Sequence, residues 1–206
     1  MKQLPRLYAI ADASFGDPVK LAEALFEGGA RLVQVRNKNA SARDALKQVE
    51  RILALAPTDA LVLVNDRVDI ALISGAAGVH LGQTDVPPKA AREILGPNRI
   101  IGISTHNLQQ AMDADGQPVD YVALGPIFAT TTKSNPDPVV GVELLRAASQ
   151  ILHRPLVAIG GITMRNIGDV LDAGAGSLAV IRDLLDTTNV AARTRQWLEI
   201  LKTRTL

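Results

Sequence analysis

With 206 residues, 47% of them apolar and only 3% aromatic, the chain has material for one sizeable core of Ala, Val, Ile and Leu and is short for two domains. Its 22 Lys and Arg against 21 Asp and Glu give a formal net charge of +1 without a basic tail, which excludes a general nucleic-acid or membrane-binding surface. There is no cysteine, which excludes disulfides, thiolate metal sites and cysteine nucleophiles; no apolar run is long enough to cross a bilayer, and a cytoplasmic protein is expected.

Short β-branched runs alternate with longer Ala- and Leu-rich segments along the whole sequence. The first strand is predicted over Leu7–Ile10, followed by an amphipathic helix over Val19–Phe26. A second strand, Leu32–Val35, leads to a helix over Ala42–Leu55. Strands follow near Leu61–Val64, Gly78–Leu81, Ile100–Ile103 and Tyr121–Leu124, then a helix over Val139–Ile151. Strands at Leu156–Ile159 and Leu178–Ile181 and a helix over Arg193–Leu201 complete the pattern.

About eight strand-helix units with no linker between them predict an α/β fold, a single (β/α)8 TIM barrel over residues 1–206. An open doubly wound sheet shares the alternation but announces its ligand at one switch point with a glycine fingerprint. Here polar residues follow almost every strand. A barrel gathers all those strand ends around one mouth, so that is where the active site is expected.

Around that rim, Gln34, Arg36 and Lys38 point the same way if the second strand continues, bringing an amide and two cations to the mouth. Read alone, the two cations are solvated loop charges. The third strand ends in Asn65-Asp66-Arg67 and the fourth in His80 to Asp85; Asp66 and Asp85 are either helix caps or a carboxylate pair able to hold Mg2+ beside phosphate oxygens. His80, within an apolar strand, reads as a packed, hydrogen-bonded core histidine. Ser104, Thr105 and His106 end the fifth strand, with Ser104 nearest the rim.

Gly125 to Lys133 is dense in hydroxyls and ends in a cation, a combination suited to phosphate oxygens, or else a surface loop. Gly160-Gly161 and the segment through Ile181 and Arg182 end the last two strands with small residues, where many barrels bind phosphate. Together the ends describe one mouth with two phosphate sites, one cationic with carboxylates for a metal, the other neutral.

The segments LYAIAD, QVRNK, NDRVDIAL, GVHLGQTD, GISTH, DYVALGPIFATTTK, VAIGGIT and AGAGSLAVI resemble the thiamine phosphate synthase family in order and spacing, over nearly the whole chain. The resemblance implies a Mg2+-dependent transferase that joins a pyrimidine diphosphate to a thiazole phosphate and expels pyrophosphate by a dissociative mechanism. It implies Gln34 at the aminopyrimidine; Arg36, Lys38, Asn65, Ser104 and Lys133 at the diphosphate; and Asp66 and Asp85 as Mg2+ ligands. Among these, Arg36, Lys38, Ser104 and Lys133 would be catalytic. Thr130, Thr132, Gly160, Gly161 and the amides around Ile181 and Arg182 would hold the thiazole phosphate.

Family members commonly carry Thr where Ala11 stands and Ser where Arg182 stands. The competing readings are a thiazole tautomerase, for which His106 is the natural acid-base group, and a non-catalytic sensor of thiamine precursors. Small-molecule substrates are expected as partners; a homo-oligomer is compatible with the sequence, which does not fix subunit number.

Overall fold

A computed structural model describes residues 4–130 and 137–204 of the chain. Eight parallel strands close into a barrel in sequence order: β1 (Leu7–Asp12), β2 (Leu32–Arg36), β3 (Leu61–Asn65), β4 (Gly78–Leu81), β5 (Ile100–Thr105), β6 (Tyr121–Leu124), β7 (Leu156–Ile159) and β8 (Ser177–Val180). β8 returns to β1 with Leu7 opposite Leu178, which closes the ring.

Helices cover the outside: α1 (Pro18–Glu27), α2 (Ala42–Leu55), α3 (Val68–Ser74), α4 (Pro88–Leu95), α5 (Leu108–Asp115), α6 (Gly141–Ile151), α7 (Ile167–Asp172), α8 (Arg182–Leu185) and α9 (Val190–Thr203). No helix among the described residues is long and apolar enough to cross a membrane.

Strand period and barrel closure together sort the side chains into two cores. One parity of each strand points outward, where Val33, Val62, Val79, Ile101 and Val122 meet the helices in a continuous apolar layer. The other parity fills the barrel with Tyr8, Ile10, Leu32, Leu63, Tyr121, Ala123, Val157 and Ala179. Both tyrosines of the sequence therefore lie inside the barrel. Gly102 makes room for one of them, because a Cβ there would lie 1.9 Å from Tyr121 Cζ.

Local chemistry starts several helices where the sequence turns polar. Asp17 caps α1 by accepting from Val19 N at 3.0 Å, with Pro18 in the first turn. Ser41 caps α2, Asn107 caps α5 and Asn189 caps α9 in the same manner. The last helix is pinned by Trp197, fully buried, whose indole N–H donates to Asp183 Oδ2 at 2.7 Å.

Most elements differ from the sequence reading by one to three residues at an end, and three of the differences have a visible cause. β8 spans Ser177–Val180, one residue earlier than expected, because Ser177 Oγ donates to Pro5 O at 2.7 Å and fixes the strand's start. β5 continues to Thr105, whose hydroxyl donates to Ala123 O on the neighbouring strand. α6 begins at Gly141, where a φ of +79° turns the chain into the helix.

Candidate active site

The C-terminal ends of the strands surround a cavity of about 840 Å³. Gln34, Arg36, Lys38, Asn65, Asp66 and Asp85 line it, as do Ser104, Thr130, Gly160, Gly161, Ile181 and Arg182. Thr132 and Lys133 lie outside the described residues.

On the β2 side the alternation carries Gln34 and Arg36 inward and upward. Gln34 is buried, and its Nε2 donates to the Tyr8 hydroxyl at 2.5 Å. Arg36 stands opposite Asp12 in the β1–β2 register, and its guanidinium pairs with the Asp12 carboxylate. Asp12 also accepts from Ser14 N at 2.9 Å and Ser14 Oγ at 2.7 Å. A buried carboxylate with several donors therefore holds Arg36 in place. Sequence reasoning missed Asp12, whose only local signal is a charge ending an apolar run.

Neither rim carboxylate is a helix cap. The residue capping α3 is Arg67, without a side-chain cap bond, and that of α4 is Pro87. Asp66 instead adopts a φ of +62°, with its N–H donating to His80 O at 2.8 Å. Among the described non-glycine residues it alone has positive φ, in the left-handed region that disfavours a side chain. Asp85 Oδ2 accepts from Gly82 N at 2.7 Å, closing the loop after β4.

These loops bring the two carboxyls together. Burial first, and then hydrogen bonding and charge repulsion from Asp85, push the Asp66 carboxyl above the usual carboxylate range, while Lys38 and Asn65 pull it back. Lys38 Nζ lies 3.7 Å from Asp66 Oδ2. Such a pair is short of positive charge. Among the described residues no group of three or more His, Asp or Glu side chains converges on a metal position, so a divalent cation here would need oxygens from a ligand as well.

His80 is buried, with Nδ1 2.8 Å from the Tyr121 hydroxyl and Nε2 2.8 Å from Ser104 Oγ. Ser104 is thus held by a side chain across the strand pair and is not a cap. His106 also reaches the cavity, its Nδ1 2.7 Å from Gly125 O and 3.5 Å from Asp137 Oδ2.

The far side of the cavity differs in character. Gly160 and Gly161 turn with φ of +98° and +66°, and a Cβ on either would approach Pro126 Cα at 2.5 Å or Ala129 O at 2.6 Å. Their carbonyls accept from Phe128 N at 3.0 Å and Asn166 Nδ2 at 3.0 Å. Arg182 is exposed, its guanidinium 5.2 Å over the Phe15 ring and 3.1 Å from Asp186 Oδ2.

A mouth with two cations and a carboxyl pair on one side and a glycine-rich turn on the other fits the class of barrel enzymes that work on phosphorylated small molecules. Sequence comparison narrows that class. The thiamine monophosphate synthase family model matches residues 7–184, and the chain belongs to that family. A thiamine-phosphate synthase of Koribacter versatilis is 48% identical over 97% of each chain. One of Chlorobium phaeovibrioides is 47% identical, over 86% of this chain and 85% of its own. The solved structure of a thiamine phosphate pyrophosphorylase from Pyrococcus furiosus superposes with a TM-score of 0.89 at 36% identity, covering 96% of both chains.

Proposed function

We propose that the chain acts as one catalytic barrel, a transferase that makes thiamine phosphate from hydroxymethylpyrimidine diphosphate and a thiazole phosphate, releasing pyrophosphate. One observation carries the reading beyond family membership: the Asp66–Asp85 carboxyl pair stands in the same cavity as Arg36 and Lys38, opposite the Gly160-Gly161 turn. A carboxylate pair beside cations suits a metal-diphosphate group, and a tautomerase working on a lone thiazole would have no use for one.

Gln34 faces the aminopyrimidine, and Arg36, Lys38, Asn65, Ser104 and Lys133 take the diphosphate. Asp66 and Asp85 fit Mg2+, their shortage of positive charge being what a hard cation relieves. When bound, Mg2+ supplies positive charge to the diphosphate oxygens. Thr130, Thr132, Gly160, Gly161 and the backbone at Ile181 and Arg182 take the thiazole phosphate.

In the reaction the bond from the pyrimidine methylene carbon to the diphosphate oxygen breaks, and the leaving group keeps the electron pair. The resulting cation is delocalised over the pyrimidine, and the thiazole nitrogen donates its lone pair to the methylene carbon. No protein nucleophile is needed. Arg36, Lys38 and Lys133 stabilise charge gathering on the diphosphate, and the cavity aligns the two reacting atoms. We place this chemistry in the cytoplasm, and it is compatible with a homo-oligomer.

Thiamine phosphate formation should stop on chelation with EDTA and return with excess Mg2+. A rate indifferent to chelation would remove the metal from this reading. Lys133→Ala should lower the single-turnover rate by about 10²-fold or more, the effect of losing one preorganised charge stabiliser; an unchanged rate would take Lys133 out of the site.

A further inference from the structure

Below the mouth, the barrel holds polar side chains that the mechanism above leaves unused. The hydroxyls of Tyr8 and Tyr121 lie 2.9 Å apart. Gln34 Nε2 is 2.5 Å from the Tyr8 hydroxyl, His80 Nδ1 is 2.8 Å from that of Tyr121, and His80 Nε2 is 2.8 Å from Ser104 Oγ. Side chains from β1, β2, β4, β5 and β6 thus form one unbroken chain of hydrogen bonds. Its two ends, Gln34 and Ser104, line the cavity, and Tyr8 and His80 between them border its floor while staying buried.

Packing fixes the middle of this chain. The His80 ring stacks on Tyr121 at 5.7 Å with an interplanar angle of 17°, and Tyr8 meets Tyr121 edge-on at 5.9 Å. Gly102 supplies the space the Tyr121 ring occupies. Burial raises the pKa of both tyrosines, so each remains a neutral hydroxyl with a single hydrogen.

That single hydrogen gives the chain a direction. A buried hydroxyl accepting on one side must donate on the other, and a neutral imidazole donates through one nitrogen and accepts through its partner. Gln34 donates to Tyr8. Tyr8 must then donate to Tyr121, since accepting from both neighbours would strand its hydrogen in the core. Tyr121 donates in turn to His80 Nδ1, which leaves the imidazole hydrogen on Nε2. Nε2–H donates to Ser104 Oγ, and the Ser104 hydrogen is left for the cavity.

We propose that Tyr8, Tyr121 and His80 are positioning residues, forming a one-way hydrogen-bond chain that sets the polarity of both ends of the pyrimidine diphosphate site. At one end the Gln34 carbonyl oxygen is offered as an acceptor, the complement of an amino group on the pyrimidine. At the other the Ser104 hydroxyl is offered as a donor, the complement of the departing diphosphate. The proposal rests on the reading of Gln34 and Ser104 as contacts of that substrate. With the chain reversed, Ser104 would donate to His80 and turn lone pairs toward an anion, which would repel it.

The direction is read from the His80 tautomer in the intact, ligand-free protein labelled with nitrogen-15 at histidine, with His80→Gln to assign the signal. The expected imidazole is neutral with its hydrogen on Nε2; a hydrogen on Nδ1 overturns the proposal. Kinetics tests the route independently. Tyr121→Phe cuts the chain while keeping the ring, and should lower kcat about tenfold, roughly the value of one buried hydrogen bond.

In a Ser104→Ala background, Tyr121→Phe should have no further effect on kcat, because its influence on the leaving group passes through Ser104, while the change at the Gln34 end shows in KM for the pyrimidine diphosphate. Equal losses in both backgrounds would make Tyr121 a packing residue and overturn the proposal. A kcat unmoved by Ser104→Ala alone would instead refute the diphosphate reading of that residue, and with it the purpose of the chain, whatever the tautomer.

Discussion

Asp66→Asn is expected to cut turnover with Mg2+ by about 10²-fold or more and, at the same time, to raise the melting temperature of the metal-free protein. The activity loss follows from the proposed role of Asp66 as one of two carboxylates that hold Mg2+. The stability gain follows from the pKa direction. Folded Asp66 holds its proton to higher pH than the unfolded chain does, so this group favours the fold at acid pH. That advantage is lost as pH rises through the ordinary carboxylate range and beyond. Toward neutral pH the carboxyl therefore counts increasingly against the folded state, and Asn removes that penalty. Asn also tolerates the φ of +62° better than most residues. Melting in EDTA at acid and neutral pH should show the gap between variant and parent widening as pH rises. A variant that melts lower at neutral pH would contradict this account of the carboxyl pair.

Arg36→Ala should damage both activity and stability, by separate causes. Turnover should fall by about 10²-fold or more, since the proposed function makes Arg36 a charge that stabilises the leaving group. Stability should fall by about 3 kcal/mol, because the buried Asp12 carboxylate loses its ionic partner and keeps only the Ser14 donors. The double variant Asp12→Ala with Arg36→Ala should regain much of the stability and none of the activity, which denaturant titration and steady-state rates would separate. Recovery of activity in the double variant would show that Arg36 matters for folding alone.

The barrel was legible because a parallel sheet covered by helices writes its strands as short β-branched runs, and the rim was legible because polar residues sit where those runs stop. Gln34 and Arg36 share a strand parity, so their common direction could be read locally, whereas β2 stops at Arg36 and Lys38 reaches the cavity from the turn that follows it. What spacing could not carry is contact across the barrel. Tyr8 and Tyr121 look like core filler in apolar strands, yet their hydroxyls meet at 2.9 Å over a separation of 113 residues. Asp12 reads as the end of a strand until the β1–β2 register sets it opposite Arg36. Asp66 and Asp85 kept a capping alternative in the sequence. Only the backbone turn at Asp66 and the Gly82 N–H bond to Asp85 show that neither side chain is spent on a helix.

The most direct test of the central claim is product formation by the purified full chain. With hydroxymethylpyrimidine diphosphate, thiazole phosphate and Mg2+, thiamine phosphate and pyrophosphate should appear together in equal amounts. Failure to form thiamine phosphate, despite demonstrable binding of the thiazole phosphate, would contradict a synthase and return the cavity to a tautomerase or a sensor.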